Sequence, residues 1–212
     1  MLDERRLQTP GGNAFAAPNR ALGEAIAAEW NAQGEFIAPA SMPLTQLGFA
    51  AIDVTPGRRD ELARTVVKYT QTDLVSHRAH APPALVARQS ASWDPLLDWA
   101  HERFNFRLPV VTGVIAAPVS AENLTVMKRE SDDLDDFRVT ALVQAVTLAG
   151  SAVIGFALLE GRLDAEAAFA AAALDDLWGL ENWGEDPEAR AGLERQRDEF
   201  AALARFIAAM DG

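Results

Sequence analysis

Four pairs of adjacent carboxylates are the residues of this chain whose type could do chemistry: Asp132-Asp133, Asp135-Asp136, Asp175-Asp176 and Glu185-Asp186. Two carboxylates can divide general acid and base work when burial separates their pKa values. Neighbours on a helix usually face apart, and these pairs fall where helices are expected to begin, where acids suit the macrodipole. Solvated helix caps are the expectation. His77 and His80 stand three apart beside Pro82-Pro83 in expected strand or loop, and His101 stands alone; neither spacing suits a helical zinc site. No nucleophile elbow or phosphate-cradling glycine loop occurs, and without cysteine there is no disulfide or thiolate metal site. No catalytic, cofactor-binding or metal residue is expected.

One acidic segment differs from the rest. In L-D-D-L-W-G-L-E-N-W-G-E-D-P-E, from Leu174 to Glu188, carboxylates alternate with two tryptophans. Tryptophan among acids is unusual for a plain solvated surface and common among interface anchors. Asp175, Asp176, Trp178, Glu181, Trp183, Glu185 and Asp186 are therefore the expected partner-binding residues, with core packing of one or both rings as the alternative. Charge distribution points the same way. The net charge is −12, and from Glu130 to Glu188 fourteen acids face only two bases, Arg138 and Arg162, which leaves seventeen of each elsewhere. Nucleic acid is disfavoured, since phosphates need a basic face. A basic or apolar protein surface suits such a patch.

The elements that must position this segment are organised around Val139 to Leu159, which carries no formal charge. Its length would span a bilayer. Polarity at Thr140, Gln144, Thr147 and Ser151, and flanks without a Lys/Arg cluster, favour the central buried helix of a soluble domain. Ser151 and Gly155, four apart, would let a neighbouring helix approach closely. The 212 residues are 49% hydrophobic and 24% charged with five tryptophans, enough for a substantial core. The start shows neither a secretory signal nor a transit peptide, so a cytoplasmic location is expected.

Along the chain, Leu2 to Pro18 reads as extended segments with turns at Asp3-Glu4 and Gly11-Gly12. Helices are expected from Ala21 to Ala32 capped by Asn19, from Pro43 to Asp53, and from Gly57 to Tyr69. Asp73 to Arg78 reads as a short strand. Pro82-Pro83 marks the boundary between residues 1–81, a small mixed α/β domain, and residues 82–212, an α-helical domain. Beyond it, Ala84 to Phe104 is helical with a break at Pro95, Leu108 to Ile115 is extended, and a helix runs from Ala121 to Arg129 after Ser120. Ser131-Asp132-Asp133 would cap the central helix and Gly161 end it. Asp164 caps a helix reaching Asn182, and Pro187 opens a last one to Met210 with Leu193, Phe200, Leu203, Phe206 and Ile207 inward. The fold class is α+β: a small N-terminal α/β part, then a mainly α-helical bundle around a central apolar helix.

Four stretches together resemble the assembly chaperone of the F-type ATP synthase head. They are S-M-P-L-T-Q-L-G-F-A-A-I-D (Ser41 to Asp53), A-R-Q-S-A-S-W-D-P-L-L-D-W-A (Ala87 to Ala100), L-A-G-S-A-V-I-G-F-A-L (Leu148 to Leu158), and G-R-L-D-A-E-A-A-F with the acidic tryptophan segment. R-Q-x-x-x-W-D-P-L-L and the terminal W-G are the more specific. The resemblance implies binding of the unassembled α subunit, no catalytic activity, and an important acid near the C-terminal W-G, with Asp175, Asp176, Glu181 and Glu185 as candidates. This sequence departs from the pattern at Gly48-Phe49, where Asn-Thr is typical, at Gly179, where Gln is typical, and upstream of L-D-x-R, where a strand and a basic segment are missing. Two other readings are a small carboxylate-dependent hydrolase with a site between the two domains, expected to show convergent buried acids, and a membrane-anchored helper.

Overall fold

The computed structural model describes residues 7–184 and 186–212; the turn expected at Asp3-Glu4 and the side chain of Glu185 lie outside them. Ten helices are described: α1 (Arg20–Asn31), α2 (Pro43–Asp53), α3 (Thr55–Gln71), α4 (Pro83–Phe104), α5 (Ala121–Asp132), α6 (Asp136–Ala149), α7 (Ala152–Leu159), α8 (Ala165–Ala172), α9 (Leu174–Trp183) and α10 (Pro187–Met210). Strands β1 (His77–Arg78) and β2 (Val111–Thr112) pair in parallel, His77 opposite Val111. The strand expected over Asp73 to Arg78 is shorter than expected, because Leu74–Ser76 winds into a 3-10 turn behind Asp73.

Local polar residues set the helix starts. Asn19, Ser120, Asp164 and Asp186 each accept backbone amides at the starts of α1, α5, α8 and α10. Helix α2 has no capping side chain of its own. Glu29 of α1 substitutes, accepting from the amides of Leu44 and Thr45 at 2.9 and 2.8 Å. The Gly11-Gly12 turn closes an antiparallel bridge between Gln8 and Ala14 and is moored on Asp53, which accepts from Thr9 Oγ1, the Gly11 amide and Asn13 Nδ2. These bonds, that of Thr9 foremost, hold the Asp53 carboxyl below its usual range. A Cβ on Gly11 would lie 2.7 Å from Asp53 Cγ, so only glycine admits this approach.

The apolar stretch is two helices rather than one. Gly150 takes a left-handed φ of 65° and ends α6, and the Ser151 side chain then caps α7 by accepting from the Ile154 amide. Two turns pack back on one another here. A Cβ on Gly155 would lie 2.5 Å from Val146 Cγ2 and 3.1 Å from the Val146 nitrogen. The close approach expected along Ser151 and Gly155 is therefore that of α6, the first half of the same stretch. All eight residues of α7 are buried. The cap of α6 is Asp135, whose carboxylate accepts from the Arg138 amide, rather than Ser131-Asp132-Asp133.

Helices from both sides of Pro82 meet in one core. It joins Leu22, Ile26 and Val66 to Trp93, Leu142, Ile154, Phe200 and Phe206. Helix α3 lies against α5 and α6, and α10 lies against α1, α2 and α8. Arg59 of α3 binds Asp136 and the carbonyls of Asp132 and Leu134 across the α5–α6 junction. Among the described residues no helix is long and apolar enough to cross a membrane. At Gly48-Phe49 the missing side chain makes room for Phe15, whose ring meets Phe49 edge-on at 5.8 Å between centroids.

Candidate partner-binding site

The motif R-Q-x-x-x-W-D on α4 places the acidic tryptophan segment. Trp93, 1% exposed, donates from Nε1 to the Ala171 carbonyl at 2.9 Å and so fixes the end of α8. Gln89, 2% exposed, accepts the Ala79 amide through Oε1 and donates from Nε2 to Asp175 Oδ1 at 2.8 Å. Arg88 forms a two-pronged pair with Glu181, one arm at 3.0 Å, while its guanidinium carbon lies 5.8 Å from the Trp178 ring centroid. Asp94 pairs with Arg78, whose guanidinium also lies over Trp93. Of these motif residues, Arg88 and Gln89 hold α9, Trp93 holds the end of α8, and Asp94 holds Arg78. Their signal was a polar Gln89 in the middle of the buried stripe of Leu85, Trp93, Leu96 and Ala100, with Arg88 and Asp94 outside it.

Helix α9 consequently has two differently engaged sides. Asp175, Trp178 and Glu181 are turned to α4, and the Arg88 hydrogen bond depresses the Glu181 pKa. The expected single acid-and-tryptophan surface thus divides, with Trp178 half-buried and Trp183 79% exposed. Trp183, Asp176 and Asp186 border an open cleft of about 720 Å³ between α9 and α10 that Asp175 also reaches. Less exposed residues in its lining are Gly179, Leu180, Gly192, Leu193 and Gln196, and the Arg195 guanidinium lies close to Gly192. At Gly179 an added Cβ would touch only the Trp183 ring, at 3.5 Å. Asp186 serves as the α10 cap as well, accepting from the amides of Glu188 and Ala189. Glu185 lies outside the described residues.

Comparison with known proteins decides the family. A model of the ATP12 chaperone protein family matches residues 1–101. The crystal structure of Atp12 from Paracoccus denitrificans is 40% identical, superimposes with a TM-score of 0.94, and the match covers 99% of this chain and 90% of that one. This chain belongs to the ATP12 chaperone family. That is the ATP synthase assembly chaperone family whose motifs it resembles. An Agrobacterium tumefaciens structure shares 34% identity at a TM-score of 0.90, over 99% of this chain and 78% of that one. The mitochondrial atp12 protein of Schizosaccharomyces pombe is 24% identical over 196 residues, 87% of this chain and 67% of that protein.

The features expected of a hydrolase are not brought together. Among the described residues Asp73 is the one buried carboxylate, 1% exposed. Its oxygens are taken up by Ser151 Oγ and the amides of Val75 and Val153. The paired acids 132-133 and 175-176 are exposed. His77 binds the Gly113 carbonyl through Nδ1 at 2.8 Å, His80 is exposed, and no group of three ligating side chains able to hold a metal occurs among the described residues.

Proposed function

We propose that this protein is a non-enzymatic, cytoplasmic chaperone of F-type ATP synthase assembly that binds the unassembled α subunit as a monomer, through the acidic and aromatic surface of α9 and the start of α10. The observation that carries the reading is Trp183, 79% exposed at the end of a helix and bordered by carboxylates. An exposed indole at the end of a helix is the kind of anchor on which protein interfaces concentrate their affinity. Carboxylates around it would steer a subunit that shows positive charge near its unfilled nucleotide site, and the true neighbour would later displace the chaperone. Trp178, Glu181 and Asp175 contribute by keeping α9 seated on α4, and Glu185 and Asp186 by the acidity of the α9–α10 link.

The test is retention of the isolated α subunit by the immobilised protein, compared with the β subunit as control. Retention of α alone is expected, and Trp183→Ala should speed its dissociation while leaving the melting temperature unchanged. Equal retention of neither or both subunits overturns the reading.

A further inference from the structure

The α9–α10 cleft has a chemistry that restricts what can fill it. Three carboxylates, Asp175, Asp176 and Asp186, border it, with the Arg195 guanidinium near Gly192, and its less exposed surface is Leu180, Leu193, Gln196 and two glycines. The occupant must therefore be apolar on one side and basic along its margins. Both walls are helices, so apart from the last carbonyls of α9 and the first amides of α10 their peptide groups are already bonded within them. An extended segment lying here would find no strand edge to pair with and would leave its own N–H and C=O groups unsatisfied, at a cost. A helix brings those groups already satisfied and can seat its side chains in a groove between two helices. Gly179 and Gly192 lower the walls where such a helix would pass closest. Trp183, exposed at the end of α9, would cover its flank.

From this charge complementarity and backbone accounting, we infer that the cleft receives an amphipathic, basic helix of the client, aliphatic on its buried side and bearing Lys or Arg beside it. This deepens the proposed function and rests on it: the client would be held by one of its helices in a groove, rather than by a flat patch.

The space itself supplies the test. A Cβ at Gly192 meets only the tip of the Arg195 side chain, at an ordinary contact distance of 3.7 Å, so Gly192→Leu is the filling variant and, as a replacement of a helical glycine, should raise the melting temperature. Ala189→Leu fills it from one turn earlier on α10. The probes are three labelled peptides read by fluorescence anisotropy: a Leu/Lys amphipathic helix, its Leu/Glu counterpart, and the Leu/Lys peptide broken by proline. The Leu/Lys helix alone should bind, and either filling variant should weaken it roughly tenfold or more, as loss of a central anchor site does. Because neither variant alters the charge, binding that survives both is diffuse attraction and overturns the proposal. So does equal binding of the proline-broken peptide, which would mean an extended occupant. Retention of the α subunit separates the two levels. If the unaltered protein fails to retain α, the proposed function itself falls; if it retains α and both filling variants do so equally, only the helix-in-cleft inference falls.

Discussion

At the scale of single residues, Asp73 and Trp93 carry more of the fold than their place in the sequence suggests. Asp73 is a carboxylate sealed in the core, where desolvation raises its pKa from 3.8 to about 6 against the lowering effect of Ser151 and the amides of Val153, Val75 and Ala152. The folded state thus holds a proton that the unfolded chain has released between those two values. The stabilisation is complete below about pH 4 and is lost as pH rises through about 6, by about 3 kcal/mol for a two-unit shift. Asp73→Asn removes this titration. Measured by denaturant melts from pH 4 to pH 7, the stability of the unaltered protein relative to the variant should fall by about that amount, and a constant difference would refute the assignment. Trp93 is buried and hydrogen-bonded to Ala171, so Trp93→Ala should cost about 3–5 kcal/mol. Because Arg88 and Gln89 on the same helix also hold α9, this variant should loosen α9 as well. An unchanged melting temperature would show that the ring is not core.

Among the elements, the ones with local signals were legible in the sequence. Helix α2 from Pro43 to Asp53 and helix α10 from Pro187 to Met210 begin where their prolines place them, and α10 has in Asp186 a capping residue next to its start. The break at Gly150-Ser151 was not legible. Apolar residues continue on both sides of it, so hydropathy reads straight through, and the deciding interaction comes from Asp73, far away in sequence, whose carboxylate binds Ser151 and the Val153 amide while the Leu74 amide donates to the Gly150 carbonyl. The same non-local cause hid the division of the acidic segment: whether Glu181 is free or paired depends on Arg88, ninety-three residues earlier. Two substitutions test the packing of α6 against α7. Gly155→Ala places a methyl inside the contact radius of Val146 and should destabilise by about 1–3 kcal/mol, as overpacking does. Val146→Asp, at 0% exposure, puts an unpaired charge there and should unfold the protein at neutral pH, with loss of the helical circular dichroism signal. If Gly155→Ala is neutral, α6 and α7 do not approach as closely as described.

At the scale of the whole molecule, the acidic excess and the exposed tryptophan should separate in the kinetics of client capture. The charge is spread over the surface, with fourteen acids and two bases between Glu130 and Glu188, so it acts over distance and within reach of salt. Trp183 acts only on contact. Association with the α subunit should therefore slow as ionic strength rises, whereas dissociation should be nearly insensitive to salt and governed by Trp183. Asp176 and Glu181 distinguish charge from positioning within that scheme. Asp176 borders the cleft, so Asp176→Asn should slow association a few-fold at low salt and have little effect at high salt, with dissociation unchanged. Glu181 is already paired with Arg88, and removing its charge also weakens one of the contacts that seat α9 on α4. Glu181→Gln should consequently speed dissociation as Trp183→Ala does, and the effect should persist at high salt, because it works through the seating of the helix that carries the anchor. Stopped-flow mixing over a salt series yields both rate constants for each variant. If Glu181→Gln altered only association, and only at low salt, the Arg88 pair would not be what positions α9, and Glu181 would be one more steering charge.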